Sequence, residues 1–238
     1  MKPLIAVAGR SVPPGVVLQW NDGAVAAPSQ YIQALHRAGG QEGVLLPAAL
    51  SPEEAAERLE RFDGLLLLGG GDVDPELYAD ARHPAVEGVH RLRDDFEMTL
   101  IRAAVERRMP TLAVCRGLQV MNMALGGTLE QHIDETQDDP ILHAKRNLHD
   151  VSLEPGSQTA LAMGTERAAC HSAHHQAVGK LGDGLVATGW AEDGVIEAAE
   201  LEEGWVVGVQ WHPERTAEQD PVQQGLFTAL VEHAANNQ

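Results

Sequence analysis

Pro110-Thr-Leu-Ala-Val-Cys115-Arg-Gly-Leu-Gln-Val-Met121 is the stretch on which the fold turns. Thr111 to Val114 is a short apolar run that reads as a buried strand, and Cys115 follows it directly. Leu118, Met121 and Leu125 then fall at helical spacing, and Gly126-Gly127 ends the run. Strand, small-x-Cys-x-Gly, helix is a nucleophile elbow with cysteine as the nucleophile. Ala113 and Gly117 are the small neighbours that such a turn needs if a substrate is to come close. A helix starting at Arg116 points its N-terminus at the sulfur, and its unpaired N–H groups favour the thiolate. A buried structural cysteine fits the same pattern, and the elbow by itself does not separate the two readings.

Upstream of this stretch the chain alternates strands and helices. Leu4–Ala8, Gly43–Leu46 and Gly64–Leu68 read as strands, the last apolar on both faces as a central parallel strand should be. Tyr31–Ala38 and the segment around Phe96, Leu100, Ile101, Ala104 and Val105 have helical periodicity. Ser51-Pro-Glu-Glu54 opens another helix, with serine at the cap and glutamate three residues on. Residues 10–27 and 76–93 read as rim loops. Downstream, residues 130–175 are rich in histidine and poor in long apolar runs. Gly184–Trp190, Val195–Leu201 and Trp205–Gln210 read as three strands with connections short enough for antiparallel pairing, and a helix from Pro221 to Ala235 follows. The pattern predicts one α/β domain over residues 1–238: an open, mostly parallel twisted sheet with flanking helices and an antiparallel C-terminal extension.

Composition narrows the function classes. The formal charge of −18 argues against nucleic acid and anionic membrane surfaces, and any anionic substrate must be held by local positive groups. Two cysteines make no disulfide framework, the N-terminal apolar run is too short for a signal peptide, and no apolar run approaches the ~20 residues of a membrane span. A reducing cytoplasm is the expected compartment.

Two further stretches fit the elbow. In Gln210-Trp-His212-Pro-Glu214 a strand ends in a histidine, and Glu214 is placed to orient its ring as the third member of a triad does. An exposed loop histidine beside a surface glutamate is the plainer reading of those residues taken alone. Gly69-Gly70-Gly71 lacks the Lys-Ser/Thr of a phosphate loop and leads into Asp72 and Asp74, so its N–H groups suit an oxyanion hole, or simply a tight turn. His171-Ser-Ala-His174-His175-Gln176 lacks a metal-ligand spacing; pocket-lining residues or a plain loop are the expected roles, and no metal site is expected.

Cys115-Arg-Gly-Leu-Gln119, Gln210-Trp-His212-Pro-Glu214, the Gly69–Pro75 turn, Met121–Leu129 and Ser172-Ala-His-His-Gln176 together resemble the class I glutamine amidotransferase superfamily. Within it they look like the stand-alone hydrolases of the γ-glutamyl-γ-aminobutyrate hydrolase type, peptidase family C26. The resemblance implies Cys115 as nucleophile, His212 as base and acid, and Glu214 as its orienting partner. It implies an oxyanion hole from the N–H groups of Gly71 and Arg116, and substrate contacts from Gly70, Gln119, His174, His175 and Gln176. It implies no cofactor, a small γ-glutamyl amide as substrate, a link to polyamine and putrescine catabolism, and leaves a homo-oligomer open. A glutaminase component feeding ammonia to a separate synthase shares the same triad and is the alternative. Two positions depart from the family pattern: Ala113 where glycine is frequent, and Ala79 after Tyr78 where glycine is common. For the glutamyl α-carboxylate the candidate local donors are Arg116, the His174–Gln176 cluster, Arg10 and Arg93; Asp72 suits the α-ammonium.

Overall fold

Alternating core residues decide how the first strand sits. Ile5 and Val7 of Leu4–Ala8 (β1) belong to one apolar cluster, and Ala6 and Ala8 to another on the opposite face. A strand whose two faces are both covered reads as a continuous apolar run. In the computed structural model, which describes residues 1–78, 81–133, 141, 143–145 and 147–237, this pattern continues across the sheet. The first half of the chain adds a small hairpin of Arg10–Val12 (β2) and Ala24–Ala26 (β3), then Ser29–Arg37 (α1), Gln41–Leu45 (β4), Pro52–Leu59 (α2), Gly64–Leu67 (β5) and Arg91–Glu106 (α3). Thr111–Val114 (β6), Arg116–Ala124 (α4) and the two-residue Leu129–Glu130 (β7) follow. The second half holds Leu148–Leu153 (β8), Gln158–Met163 (α5), Arg167–His171 (β9), Ala177–Val178 (β10), Leu185–Ala191 (β11), Ile196–Leu201 (β12), Val206–Val209 (β13) and Pro221–Asn236 (α6).

Nine strands form one mixed sheet in the order β4-β1-β5-β6-β13-β12-β11-β8-β9. The first five are mutually parallel, and each strand beyond β13 pairs antiparallel with its neighbour. One face carries Tyr31 and Leu35 of α1 with Leu226, Phe227 and Leu230 of α6 over Leu66, Leu112 and Val207. The other carries α2, α3 and α4 over Leu65, Leu67 and Ala113. This is the open, mostly parallel sheet with an antiparallel extension that the sequence predicts.

Local signals account for the element ends. Ser51 Oγ accepts from Glu54 N at 3.2 Å and the Glu54 carboxylate accepts from Ser51 N at 2.8 Å, a full capping box. Asp220 accepts from Val222 N at 2.9 Å and Pro221 occupies the first position of α6. The hairpin of β2 and β3 lies where the sequence reads as a rim loop, and β8, β9 and α5 lie in the histidine-rich stretch. Among the described residues no helix is long and apolar enough to cross a membrane.

Candidate active site

The C-terminal ends of three adjacent strands converge. Gly69–Gly71 follow β5, Cys115 follows β6, and His212 lies just beyond β13. Open parallel sheets place their sites along this edge. Cys115 has φ 52° and ψ −109°, a conformation that an L-residue holds only when its surroundings over-determine it. Here Cys115 N donates to Val209 O at 2.7 Å, and Cys115 O accepts from Gln119 N at 3.3 Å. The small residues flanking the elbow serve packing. A Cβ on Gly117 would lie 2.9 Å from both Cβ and the carbonyl oxygen of Leu67, so glycine lets α4 sit against β5. Ala113 is fully buried, with Leu67 and Gly208 as its partners on the flanking strands.

His212 Nδ1 lies 2.8 Å from Glu214 Oε1, and both residues are buried. The other ring nitrogen is left for Cys115, which lies close enough to act on the titration of the ring. Burial by itself would lower the His212 pKa. The opposite charge of Cys115, then the hydrogen bond and charge of Glu214, outweigh it and hold the pKa up at about 10. A Cβ on Gly69 would lie 2.9 Å from His212 Cε1, so this glycine makes room for the ring. Gly69 N donates to the Tyr31 hydroxyl at 3.3 Å. Burial, then the negative charges of Glu214 and Cys115, raise the Tyr31 pKa and keep its hydroxyl protonated beside the carboxylate.

The amides of Gly71 and Arg116, the first outside any strand and the second opening α4, have no acceptor among the described residues. Both are thus open to an incoming oxygen. Gly71 approaches the backbone of Gly88 so closely that a Cβ would lie 2.6 Å from its carbonyl oxygen. A Cβ on Gly70 would lie 2.2 Å from Arg93 Nη1, so Gly70 also has a packing role.

Beneath this turn runs a buried ionic network. The Arg116 guanidinium donates to Asp94 and Glu97, and Arg93 Nε donates to Glu97 Oε1 at 2.7 Å. Arg93 Nη2 also donates to the carbonyls of Leu68 and Gly69 at 3.3 and 3.2 Å, bracing the glycine turn from below. This corrects the expectation that Arg93 is a rim residue and that its charge, or that of Arg116, is free for substrate. Asp72 is committed as well: its carboxylate accepts from Glu87 N at 2.7 Å and lies 3.1 Å from His175 Nε2.

The remaining expected contacts divide. Gln119 Nε2 donates to Gln210 Oε1 and Gln176 O at 3.2 and 3.3 Å, and Gln176 Nε2 donates to Gln131 O at 3.2 Å, so both amides tie the layers together. His175 packs against Asp72 and His132. His174 turns away from the elbow toward the buried carboxylate of Glu197 at 3.4 Å. Burial would raise the Glu197 pKa, but the surrounding rings, His174 first and then His143 and His149, lower it to about 2. Ala79 lies outside the described residues.

Sequence reasoning missed Tyr31 and the Asp94–Glu97 pair. The pair left a readable trace: charges at 93, 94 and 97 stand beside Phe96 and Leu100, where an amphipathic helix should be apolar. Arg215 was also missed. Its Nε is buried without a hydrogen-bond partner among the described residues, and its charge acts with burial to lower the pKa of His171.

The fold and site together define a class I glutamine amidotransferase-type α/β protein. A solved structure described as a candidate GMP synthase subunit from Thermoplasma acidophilum superposes with a TM-score of 0.66 at 14% identity, covering 99% of this chain and 96% of that one. The chain belongs to the Peptidase C26 family, whose pattern it matches over residues 3–214. Protein NtpR of Enterococcus hirae is 31% identical over 98% of this chain and 99% of its own length. A γ-glutamyl-γ-aminobutyrate hydrolase of Escherichia coli is 30% identical over 88% of each. A candidate glutamine amidotransferase of Mycobacterium tuberculosis is 38% identical over 91% of this chain and 70% of its length. The family places the chain among glutamine amidotransferase-like, amide-hydrolysing enzymes.

Proposed function

We propose that this protein hydrolyses γ-glutamyl amides, with γ-glutamyl-γ-aminobutyrate the leading candidate substrate. The observation that carries the reading is the elbow itself: a sulfur on a strained turn, facing an imidazole that a buried glutamate holds by its far nitrogen. The E. coli hydrolase supports the choice of substrate class. In this reading the Cys115 thiolate attacks the γ-carbonyl carbon, and the developing oxyanion is received by the N–H groups of Gly71 and Arg116. The tetrahedral intermediate collapses, His212 gives its proton to the departing amine, and a γ-glutamyl thioester remains. His212 then takes a proton from water, hydroxide displaces the sulfur, and glutamate leaves with the Cys115 thiolate restored. Water is the only co-reactant.

With Arg93 and Arg116 committed to Asp94 and Glu97, Arg215, next to Glu214 in the chain and with its Nε unpartnered among the described residues, is the cation we assign to the substrate carboxylate, ahead of the exposed Arg10 of β2. Incubation with a panel of γ-glutamyl amides and glutamine, reading glutamate release, tests the assignment. A γ-glutamyl amide should be cleaved and its α-linked isomer should be inert. A site that pairs a specific polar group rejects analogues lacking it by roughly 10⁴-fold or more. Similar kcat/KM for the two isomers would sink the γ-glutamyl reading even with the triad intact. The glutaminase reading draws on the M. tuberculosis relative; co-purification of a synthase, with glutamine turnover only in that complex, would establish it instead.

A further inference from the structure

Away from the elbow, three histidines converge on one fully buried carboxylate. His143 Nδ1, His174 Nε2 and His149 Nε2 lie 3.2, 3.4 and 3.5 Å from Glu197 Oε1. Ligand atoms of His143, His149 and Glu197 all fall within 4.8 Å of one another. The far nitrogen of each ring has an acceptor: Asp193 Oδ2 at 2.9 Å for His143, Gln176 O at 2.9 Å for His174, and Asp150 O at 3.2 Å for His149. A ring that donates its far N–H turns a lone pair toward Glu197. A cation set between those nitrogens and the carboxylate would satisfy all of them. Neither oxygen of Glu197, nor Nε2 of His149 or His174, is in a well-formed hydrogen bond among the described residues.

We propose that His143, His149 and Glu197, with His174 at their margin, form a binding site for a divalent first-row transition metal of the zinc type. Tetrahedral coordination at about 2.0–2.1 Å sets ligand atoms about 3.3–3.4 Å apart, which matches the three separations to Glu197. The outward N–H bonds to a carboxylate and two carbonyls are the supports that metal-bound imidazoles need. His143 and Glu197 are fully buried and the cluster stands apart from the elbow, so the metal is structural and takes no part in thiolate chemistry. It joins the 143–145 turn, β8, β12 and the segment after β9. Gln210 N donates to Glu197 O at 2.7 Å, which links the site to the strand end that carries His212.

The test uses untagged full-length protein carrying Cys115→Ala, so that the elbow thiol cannot compete for metal. After chelation, Co²⁺ is titrated into the folded protein and, separately, supplied during refolding from denaturant. The expected result is one Co²⁺ per chain in at least one arm, with the visible absorption of tetrahedral cobalt and a raised Tm. His149→Gln should weaken binding at least 100-fold. Asp193→Asn, which changes only the outer support of His143, should weaken it roughly 10–100-fold. Absence of stoichiometric uptake in both arms overturns the proposal, as does uptake that His149→Gln leaves unchanged.

Discussion

Cys115 does two things at one position: it presents the sulfur, and it holds a backbone conformation that glycine would hold more easily. These separate by mutation. Cys115→Ala should abolish turnover, by at least ~10³-fold, and leave the fold intact. Cys115→Gly should be equally inactive yet more stable than Cys115→Ala by about 1 kcal/mol, since only the Cβ at a strained φ distinguishes them. Urea melts of the two variants check this, and equal stabilities would mean that the turn is unstrained. His212 sets the pH behaviour. Its folded pKa, about 10, lies above that of the unfolded chain, so the folded state keeps a proton that the unfolded chain releases. The stabilisation is complete below about pH 6.5, the ordinary histidine value, and fades as pH rises through about 10. Glu214→Gln removes a hydrogen bond to an anion and its charge, so the alkaline limb of the kcat/KM profile should move to lower pH and the rate should fall ~10–10³-fold. An unmoved limb would show that Glu214 does not act on the ring. Arg215→Met should raise KM for a γ-glutamyl amide at least ~10-fold with a smaller change in kcat, measured by initial rates.

At the scale of elements, contact distance decides which changes are tolerated. Gly117→Ala drives a methyl into Leu67 at the junction of α4 and β5 and should cost about 1–3 kcal/mol. Ser51→Ala loses only a cap on α2, far from the elbow, and should cost about 1 kcal/mol with activity unchanged. Thermal melts with parallel activity assays distinguish them. β1, β5 and β6 were legible because each is a short apolar run closed by a glycine or by the elbow; β13 was legible as a strand, but its parallel pairing with β6 was not, because its short connection to β12 suggests only antiparallel pairing. The strands β8 and β9 were not legible. Leu148-His-Asp-Val-Ser-Leu153 buries only Val151 and Leu153, and Arg167-Ala-Ala-Cys-His171 buries only Cys170 among its five residues. Strands at the margin of a sheet lack the covered faces that write a pattern into sequence. The cluster of Cys115, His212 and Glu214 was legible because the three residues sit in dense local motifs. Tyr31, and the histidines around Glu197, meet only through tertiary packing, and no spacing along the chain announces that.

Across the whole molecule, β6 and β13 are neighbours in the sheet although β7 to β12 intervene in sequence. The hydrogen bond from Cys115 N to Val209 O belongs to this late partnership, while His212 N donates to His171 O at the end of β9 at 2.9 Å. A chain ending at Leu201 should therefore leave β6 with an unpaired apolar edge and be insoluble. Any soluble fraction should react with a general maleimide but not with a γ-glutamyl electrophile, as mass spectrometry would show; selective labelling would refute this. The same partnership bears on synthesis. The ribosome releases the cysteine well before the strand that holds it in its turn, so a nascent chain carries an ordinary thiol and no assembled hydrolase. Activity is switched on by the arrival of residues 206–214, and until then the exposed edge of β6 makes the growing chain a client for chaperones.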